Sequence, residues 1–221
     1  MLRLGVSKAL ALGDILVFPD REFPTIGSYF DAYASEVTKA LASIDHAVLE
    51  RVMRVLTQTI KRDGHIYVCG NGGSAAISNH LQCDYAKGIS TGTDLRPRVQ
   101  SLSTNIEIIT AIANDIEYAE IFVYQLSRTA RDGDTLIAIS ASGNSENICR
   151  ALRWARENGL TTIALTGFDG GTATKLANVT IHIAAENYGV VEDVHQSVMH
   201  ILAQYIRKLA LDERHLGRVR F

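Results

Sequence analysis

The sequence predicts an α/β fold in which a helical arm precedes a doubly wound, five-stranded parallel sheet. Apolar residues recur at helical spacing in the first part of the chain and then fall into five short β-rich runs, each followed by a helical stretch. These runs are apolar throughout, as strands are when helices cover both faces of a parallel sheet. Ligands of such a sheet bind outside the carboxyl ends of its strands, so the residues that follow each strand are the candidates for chemistry.

The helical arm is predicted from Phe23 to Arg62. Its apolar residues are Tyr29, Phe30, Tyr33, Val37, Leu41, Val48, Leu49, Val52, Val55, Leu56 and Ile60. Their spacing places them on one face of each helix. Because this apolar stripe exceeds what one small sheet can cover, we expect the arm to join subunits of a homo-oligomer.

The predicted strands share a high content of Val, Ile, Leu and Thr and end at Gly, Ser or Asn, the residues that punctuate strands. They are His65–Cys69, Val99–Leu102, Thr135–Ile139, Thr161–Leu165 and Val179–Ala184. Length and composition give no sign of a second domain. We therefore predict an N-terminal extension over residues 1–22 and one domain over residues 23–221.

Composition excludes several classes of protein. Hydrophobic residues make up 47% of the 221-residue chain and charged residues 21%, which is ordinary for a globular protein. A formal net charge of -2 argues against nucleic acid as a partner, because nucleic-acid-binding domains carry a basic surface. No apolar run reaches the length of about eighteen residues that a membrane span needs, so no membrane partner is expected.

Cysteine usage indicates the cellular compartment. The chain has three cysteines, an odd number without paired or CxxC spacing, which favours neither a disulfide framework nor a structural zinc knuckle. The N-terminal residues lack the pattern of a secretory signal peptide. These features predict a cytoplasmic protein.

A glycine-rich loop follows the first predicted strand. Its sequence is Cys69-Gly70-Asn71-Gly72-Gly73-Ser74, and it runs directly into a helix that Ser74 can cap. The glycines permit a close approach of the backbone to a ligand. The loop is neither a Walker loop nor a complete GxGxxG fingerprint, and a plain tight turn is also compatible with it.

A serine-rich loop follows the third predicted strand, again at a helix start. It runs Ser140-Ala141-Ser142-Gly143-Asn144-Ser145 and offers three hydroxyls beside exposed backbone N–H groups. Such a helix N-terminus suits a phosphate dianion. Capping by Ser145 alone is the simpler alternative, but a cap uses one hydroxyl and leaves Ser140 and Ser142 unexplained.

Four motifs in register resemble the sugar isomerase (SIS) domain of the phosphoheptose isomerases. They are Gly70–Ser74, Ala113–Asp115, Ser142–Ser145 and Leu165–Gly171. The resemblance extends from about Phe23 to the C-terminal helix and implies a flavodoxin-like fold. It also implies a homotetramer that interconverts sedoheptulose 7-phosphate and an aldoheptose 7-phosphate, with one zinc ion per subunit.

The resemblance assigns roles to individual residues. It places zinc ligands at His80, Asp84, Glu192 and His200, with Asp84 as the base and His200 as its acid–base partner. Together with the two loops, it assigns substrate and phosphate binding to Asn71, Gly72, Gly73, Ser74, Asn114, Asp115, Ser140, Ser142, Ser145 and Glu192. Residues four apart share a helix face, so His80 and Asp84 should lie side by side.

The chain departs from the family pattern at four positions. Asp84 stands where the family has Glu, Glu192 where it has Gln, Ala141 where it has Thr, and Gly88 where it has Arg. Lys87 is a candidate replacement for that missing cation. Two imidazoles and two carboxylates nevertheless remain a suitable set of zinc ligands.

Two residues beside the predicted ligands have open roles. Asp193 and His195 either orient a metal ligand or belong to an ordinary helix face. Two function classes other than an isomerase also remain open: a partner-binding protein similar to the DnaA-associating protein DiaA, and a sugar-phosphate sensor without turnover. His80 and His200 discriminate against a pure scaffold, which needs neither imidazole.

Overall fold

The computed structural model describes residues 17–212 and Gly217, so most of the predicted N-terminal extension, residues 1–16, lies outside the described residues. The strands are β1 His65–Gly70, β2 Arg98–Ser101, β3 Thr135–Ile139, β4 Thr161–Thr166 and β5 Val179–His182. The helices are α1 Ile26–Ala42, α2 His46–Lys61, α3 Gly73–Cys83, α4 Ile106–Asp115, α5 Ile121–Thr129, α6 Glu146–Glu157, α7 Gly171–Leu176 and α8 Tyr188–Ala210. A π-helical segment, Asp84–Ile89, continues α3, and a 3₁₀ turn, Tyr118–Glu120, precedes α5.

The five strands form one parallel sheet in the order β2-β1-β3-β4-β5. The predicted fold class and all five predicted strands are confirmed, with small differences at the strand ends. From β1 the chain continues to β2 at one edge of the sheet, and from β3 it continues to β4 and β5 on the other side. The loops that follow β1 and β3 therefore lie side by side at the topological switch point, where open α/β sheets bind ligands.

Both faces of the sheet are buried, which explains the continuous apolar runs. Along β1, Ile66 and Val68 point into one apolar cluster, whereas Tyr67 and Cys69 point into the other. The first cluster is covered by α1, α2, α3 and α8, and the second by α4, α5, α6 and α7. The helical arm and α8 thus share one layer, which brings the start of α8 beside the loop that follows β1.

The helical arm predicted from Phe23 to Arg62 is two helices, α1 and α2. Thr25 caps α1 in a reciprocal capping box with Ser28, and Asp45 caps α2 by accepting a hydrogen bond from the backbone N–H of Ala47. Helix α1 ends at its C-cap Ser43, and Asp45 starts α2 two residues later. The arm can therefore fold back over the sheet.

Cys69, Cys83 and Cys149 are free cysteines. Cys69 and Cys149 are buried, and burial raises the pKa of both thiols because the thiolate is poorly solvated there. None of the helices within residues 17–212 combines the length and hydrophobicity that crossing a bilayer requires.

Candidate active site

The loops after β1 and β3 are joined by a pair of asparagine side chains. The amide nitrogen of Asn71 donates to Oδ1 of Asn147 at 2.9 Å, and the amide nitrogen of Asn147 donates back to Oδ1 of Asn71 at 2.9 Å. The hydroxyl of Tyr118 donates to the same Asn71 oxygen. Asn147 is buried, so this reciprocal pair holds the two loops at a fixed spacing.

The first loop differs from its prediction at Ser74. Helix α3 starts at Gly73, its N-cap is Gly72 with φ of 54°, and no side chain caps it. Ser74 lies inside the helix and is buried, so the prediction that it caps the helix is wrong. An N-terminus without a side-chain cap keeps its first backbone N–H groups available to an anion, which favours phosphate binding over a plain turn.

The serine-rich loop is shaped by its own hydroxyls. Ser140 is buried, and its Oγ accepts a hydrogen bond from the backbone N–H of Gly143 at 3.2 Å. Ser142 is partly exposed, and its Oγ accepts from the Asn144 N–H at 3.4 Å. Ser145 occupies the N-cap of α6, but its side chain makes no capping hydrogen bond. The simpler alternative, capping by Ser145, is therefore not what the structure has.

The residues just after β4 hold this serine loop in place. Gly143 has φ of 66°, and a Cβ atom there would lie 2.2 Å from the carbonyl oxygen of Gly170. Asn144 reaches the same region, since its Oδ1 accepts from the backbone N–H of Thr172 at 2.9 Å. Gly143 is therefore required both by its backbone conformation and by this close contact.

His80, Asp84 and His200 come together beside these loops. Asp84 Oδ2 lies 2.7 Å from Nδ1 of His200, and Asp84 Oδ1 lies 3.4 Å from Nε2 of His80. Among the described residues, these are the side chains close enough to share a metal ion, with ligand atoms within 4.8 Å of one another. The Asp84 side chain is 13% exposed, so its charge is only partly solvated.

This group suits zinc by its donor chemistry. Two imidazoles and one carboxylate are a common set of catalytic zinc ligands, and three protein ligands leave a position for substrate. Asp84 lies in the first turn of the π-helical segment and not within α3, as the spacing had suggested. The continuous backbone nevertheless keeps Asp84 next to His80. Such π-helical turns are frequent at functional sites.

Glu192 does not join this group, although the resemblance implied a fourth ligand there. Its carboxylate lies against the backbone of Gly73, where a Cβ atom would be 2.2 Å from Oε2 of Glu192. Burial, reinforced by the neighbouring charge of Asp193, raises the pKa of this carboxyl group. Glu192 lies in the second turn of α8, about two turns before His200, and the helix directs it to the first loop instead of to the histidines.

Gln196, and not Glu192, is the residue of α8 that contacts both histidines. Its amide nitrogen lies 2.9 Å from Nδ1 of His80 and 2.9 Å from Nε2 of His200. The sequence offered a signal, because Gln196 lies four residues before His200 and therefore on the same face of the helix. The family resemblance pointed to Glu192 instead, one turn earlier.

The two residues with open roles have different surroundings. Asp193 Oδ2 accepts a hydrogen bond from the Tyr33 hydroxyl at 2.7 Å, which ties α8 to α1. His195 is fully buried. Burial lowers the pKa of His195 to about 4, an effect that the Thr166 backbone opposes only in part. Within residues 17–212, neither Asp193 nor His195 is hydrogen bonded to His80, Asp84 or His200.

The remaining assigned residues are less connected. Asn114 and Asp115 are exposed at the end of α4 and are hydrogen bonded to each other at 2.7 Å. Ala141 is buried, and its carbonyl accepts from the Gly167 N–H at 2.8 Å. Gly88 is buried in the π-helical segment, where its neighbour Lys87 is exposed.

Comparison with known proteins decides the family. The SIS domain family model matches residues 28–167, which is more than half of the chain. The chain belongs to the SIS-domain family. Within that family, it is 36% identical over 172 residues to a phosphoheptose isomerase from Akkermansia muciniphila, covering 77% of this chain and 89% of the relative. The predicted resemblance is therefore confirmed.

Two further relatives agree with this assignment of the SIS-domain protein. A phosphoheptose isomerase from Helicobacter pylori is 32% identical over 186 residues, covering 81% of this chain and 92% of the relative. The structure of the phosphoheptose isomerase GmhA from Neisseria gonorrhoeae superposes with a TM-score of 0.76 at 28% identity, covering 83% of this chain and all of that one. The similarity thus extends over sequence and structure alike.

Proposed function

We propose that this SIS-domain protein is an aldose–ketose isomerase that converts sedoheptulose 7-phosphate, or a close analogue, into an aldoheptose 7-phosphate. The observation that carries the proposal is the short contact between Asp84 and His200 beside the two phosphate loops. The matched relatives are named as phosphoheptose isomerases. The alternatives of a partner-binding protein and a sensor are not favoured by these matches.

The reaction moves a proton between neighbouring carbons through an enediol or enediolate. A base must take the proton from carbon, and an acid must protonate the carbonyl oxygen. Asp84 is assigned as the base. In the metal-free site, His200, hydrogen bonded to Asp84, would carry the proton between substrate oxygen and carboxylate. Asn71, Gly72, Gly73, Ser142 and Ser145 would hold the phosphate with backbone N–H groups and hydroxyls.

A zinc ion is part of the proposal. His80, Asp84 and His200 would hold it, and it would supply Lewis-acid polarisation of the substrate carbonyl. The donor set and the mutual distances of its atoms support this assignment. Glu192 remains a candidate for binding substrate at the first loop, because its carboxylate borders Gly73.

The decisive experiment supplies purified protein with sedoheptulose 7-phosphate, with and without added zinc, and follows new anomeric signals by proton NMR. We expect signals of an aldoheptose 7-phosphate to appear. An unchanged spectrum in both samples, with binding of the sugar phosphate intact, would instead favour the sensor.

Two hydroxyls of the serine-rich loop give a test of the phosphate site. We expect Ser142→Ala and Ser145→Ala each to weaken sugar-phosphate binding by about 1–2 kcal/mol, since each removes one hydrogen bond to a charged acceptor. Isothermal titration calorimetry measures the change. Ser127→Ala, on the exposed face of α5, is the matched control. Unaltered affinity in both loop variants would place the phosphate elsewhere.

A homotetramer assembled through the helical arm is also proposed. Ile26 and Phe30 of α1 are 84% and 67% exposed, which is unusual for large apolar side chains. An apolar groove of about 790 Å³ between α2 and α8 is lined by Leu49, Met53 and Tyr205. Ile106 and Ile108 of α4 are also exposed, at 65% and 40%.

Light scattering at micromolar concentration measures the assembly. We expect a mass near four chains, because burying these faces stabilises association. A monomer would contradict the proposal.

The unpaired cysteines support a reducing compartment, and we place the enzyme in the cytoplasm.

A further inference from the structure

Four side chains form a closed ring between α3, the π-helical segment and α8. Asp84 contacts both imidazoles from one side through its two oxygens. The Gln196 amide nitrogen contacts both from the other side, at 2.9 Å from Nδ1 of His80 and 2.9 Å from Nε2 of His200. The two rings lie nearly perpendicular, with centroids 4.9 Å apart. Each imidazole therefore lies between a carboxylate and an amide.

Hydrogen-bond accounting fixes where the imidazole protons are. An amide nitrogen donates two hydrogens and accepts none, so both nitrogens that face it must be lone pairs. The proton of each neutral ring then lies on the nitrogen that faces Asp84, which accepts from His200 Nδ1–H and faces His80 Nε2–H. Turning the amide would reverse both tautomers and point two lone pairs at a carboxylate, which is unfavourable.

We propose that Gln196 is the positioning residue of this site: its amide fixes the tautomers of His80 and His200 and would accept a hydrogen bond from each ring if a metal ion took the nitrogens beside Asp84. This inference rests on the zinc site of the proposed function. With a metal ion on that side, each neutral ring would carry its proton on the opposite nitrogen. Both N–H groups would then face Gln196, whose amide would turn over so that its oxygen accepts a hydrogen bond from each ring.

The consequence is that Gln196 contributes to metal affinity without binding the metal. Metal-bound histidines usually donate their other N–H to an oxygen, and loss of that partner typically lowers metal affinity by about 10- to 100-fold. Because the amide of Gln196 contacts both rings, replacing this one side chain would remove the hydrogen-bond partner of both histidines. Leucine cannot accept a hydrogen bond from either ring, whereas glutamate can accept one from each ring and adds a negative charge.

The first test uses the metal-free protein and no substrate. Nitrogen-15 NMR of the histidine rings at mildly alkaline pH reports which ring nitrogen carries the proton. We expect the Nε2–H form at His80 and the Nδ1–H form at His200, and mixed tautomers in Gln196→Leu. Opposite tautomers in the parent, or unchanged tautomers in the variant, would overturn the proposal.

The second test measures zinc affinity by competition with a chelator. We expect Gln196→Leu to bind zinc about 10- to 100-fold more weakly than the parent, and Gln196→Glu to bind at least as tightly as the parent. Gln204→Leu, on the exposed face of α8, is the matched control and should equal the parent. Equal affinity of the leucine variant and the parent, or a parent that binds no zinc, would overturn the role in metal binding.

The two tests separate this inference from the proposed function. A protein with the expected tautomers and zinc affinities but no turnover of sedoheptulose 7-phosphate keeps Gln196 in its role and refutes the isomerase. Turnover together with unchanged tautomers in Gln196→Leu refutes the role of Gln196 alone.

Discussion

Asp84→Asn is expected to lower turnover of sedoheptulose 7-phosphate by about 10²- to 10⁴-fold, the usual contribution of a general base. The amide keeps the shape of the side chain but cannot take a proton from carbon. It also replaces an acceptor beside Nδ1 of His200, so it disturbs the acid–base partner. Proton NMR of the product signals, at saturating substrate, measures the loss in kcat.

Two variants control this experiment. Asp84→Glu keeps the carboxylate and introduces the residue that the family has here, so it should retain much more activity than the asparagine variant. Asp94→Asn removes an exposed carboxylate from the same connection between α3 and β2 and should be as active as the parent. If Asp84→Asn turned over at the parental rate, Asp84 would not be the base.

Gly143→Ala is expected to destabilise the protein by about 3 kcal/mol or more and to abolish measurable sugar-phosphate binding. The backbone at φ of 66° disfavours any side chain, and the new Cβ would lie 2.2 Å from the carbonyl oxygen of Gly170. Backbone cannot move aside as a flexible side chain can. The serine loop must therefore shift, and its hydroxyls lose their common orientation. Urea denaturation and calorimetric titration measure the two effects.

Gly133→Ala separates conformational strain from this clash. Gly133 has φ of 85°, but a Cβ there meets only the Arg62 side chain, at 3.9 Å. We expect this control to cost about 1–2 kcal/mol, from the left-handed backbone alone, and to leave substrate binding intact. Equal losses in the two variants would mean that the contact with Gly170 does not hold the loop.

Part of the site was predictable because local sequence specifies it. The glycines after β1 and the serines after β3 follow strand ends, and a parallel sheet brings the ends of β1 and β3 together. His80 and Asp84 share a helix face by spacing alone, and this side-by-side placement held even though Asp84 lies in a π-helical turn. The capping role given to Ser74 failed, because Gly72 already ends the turn and Ser74 points into the core.

The sequence by itself determined the α/β class, the strand positions and the membership of the SIS-domain family, since these depend on periodicity and on motifs within short segments. Only the tertiary structure decided which residue of α8 faces the histidines. Glu192 and Gln196 are one turn apart, and the packing of α8 against α3 directs Glu192 to Gly73 and Gln196 to His80. The position of α8 along its axis depends on contacts between distant parts of the chain, and a local sequence pattern does not specify such contacts.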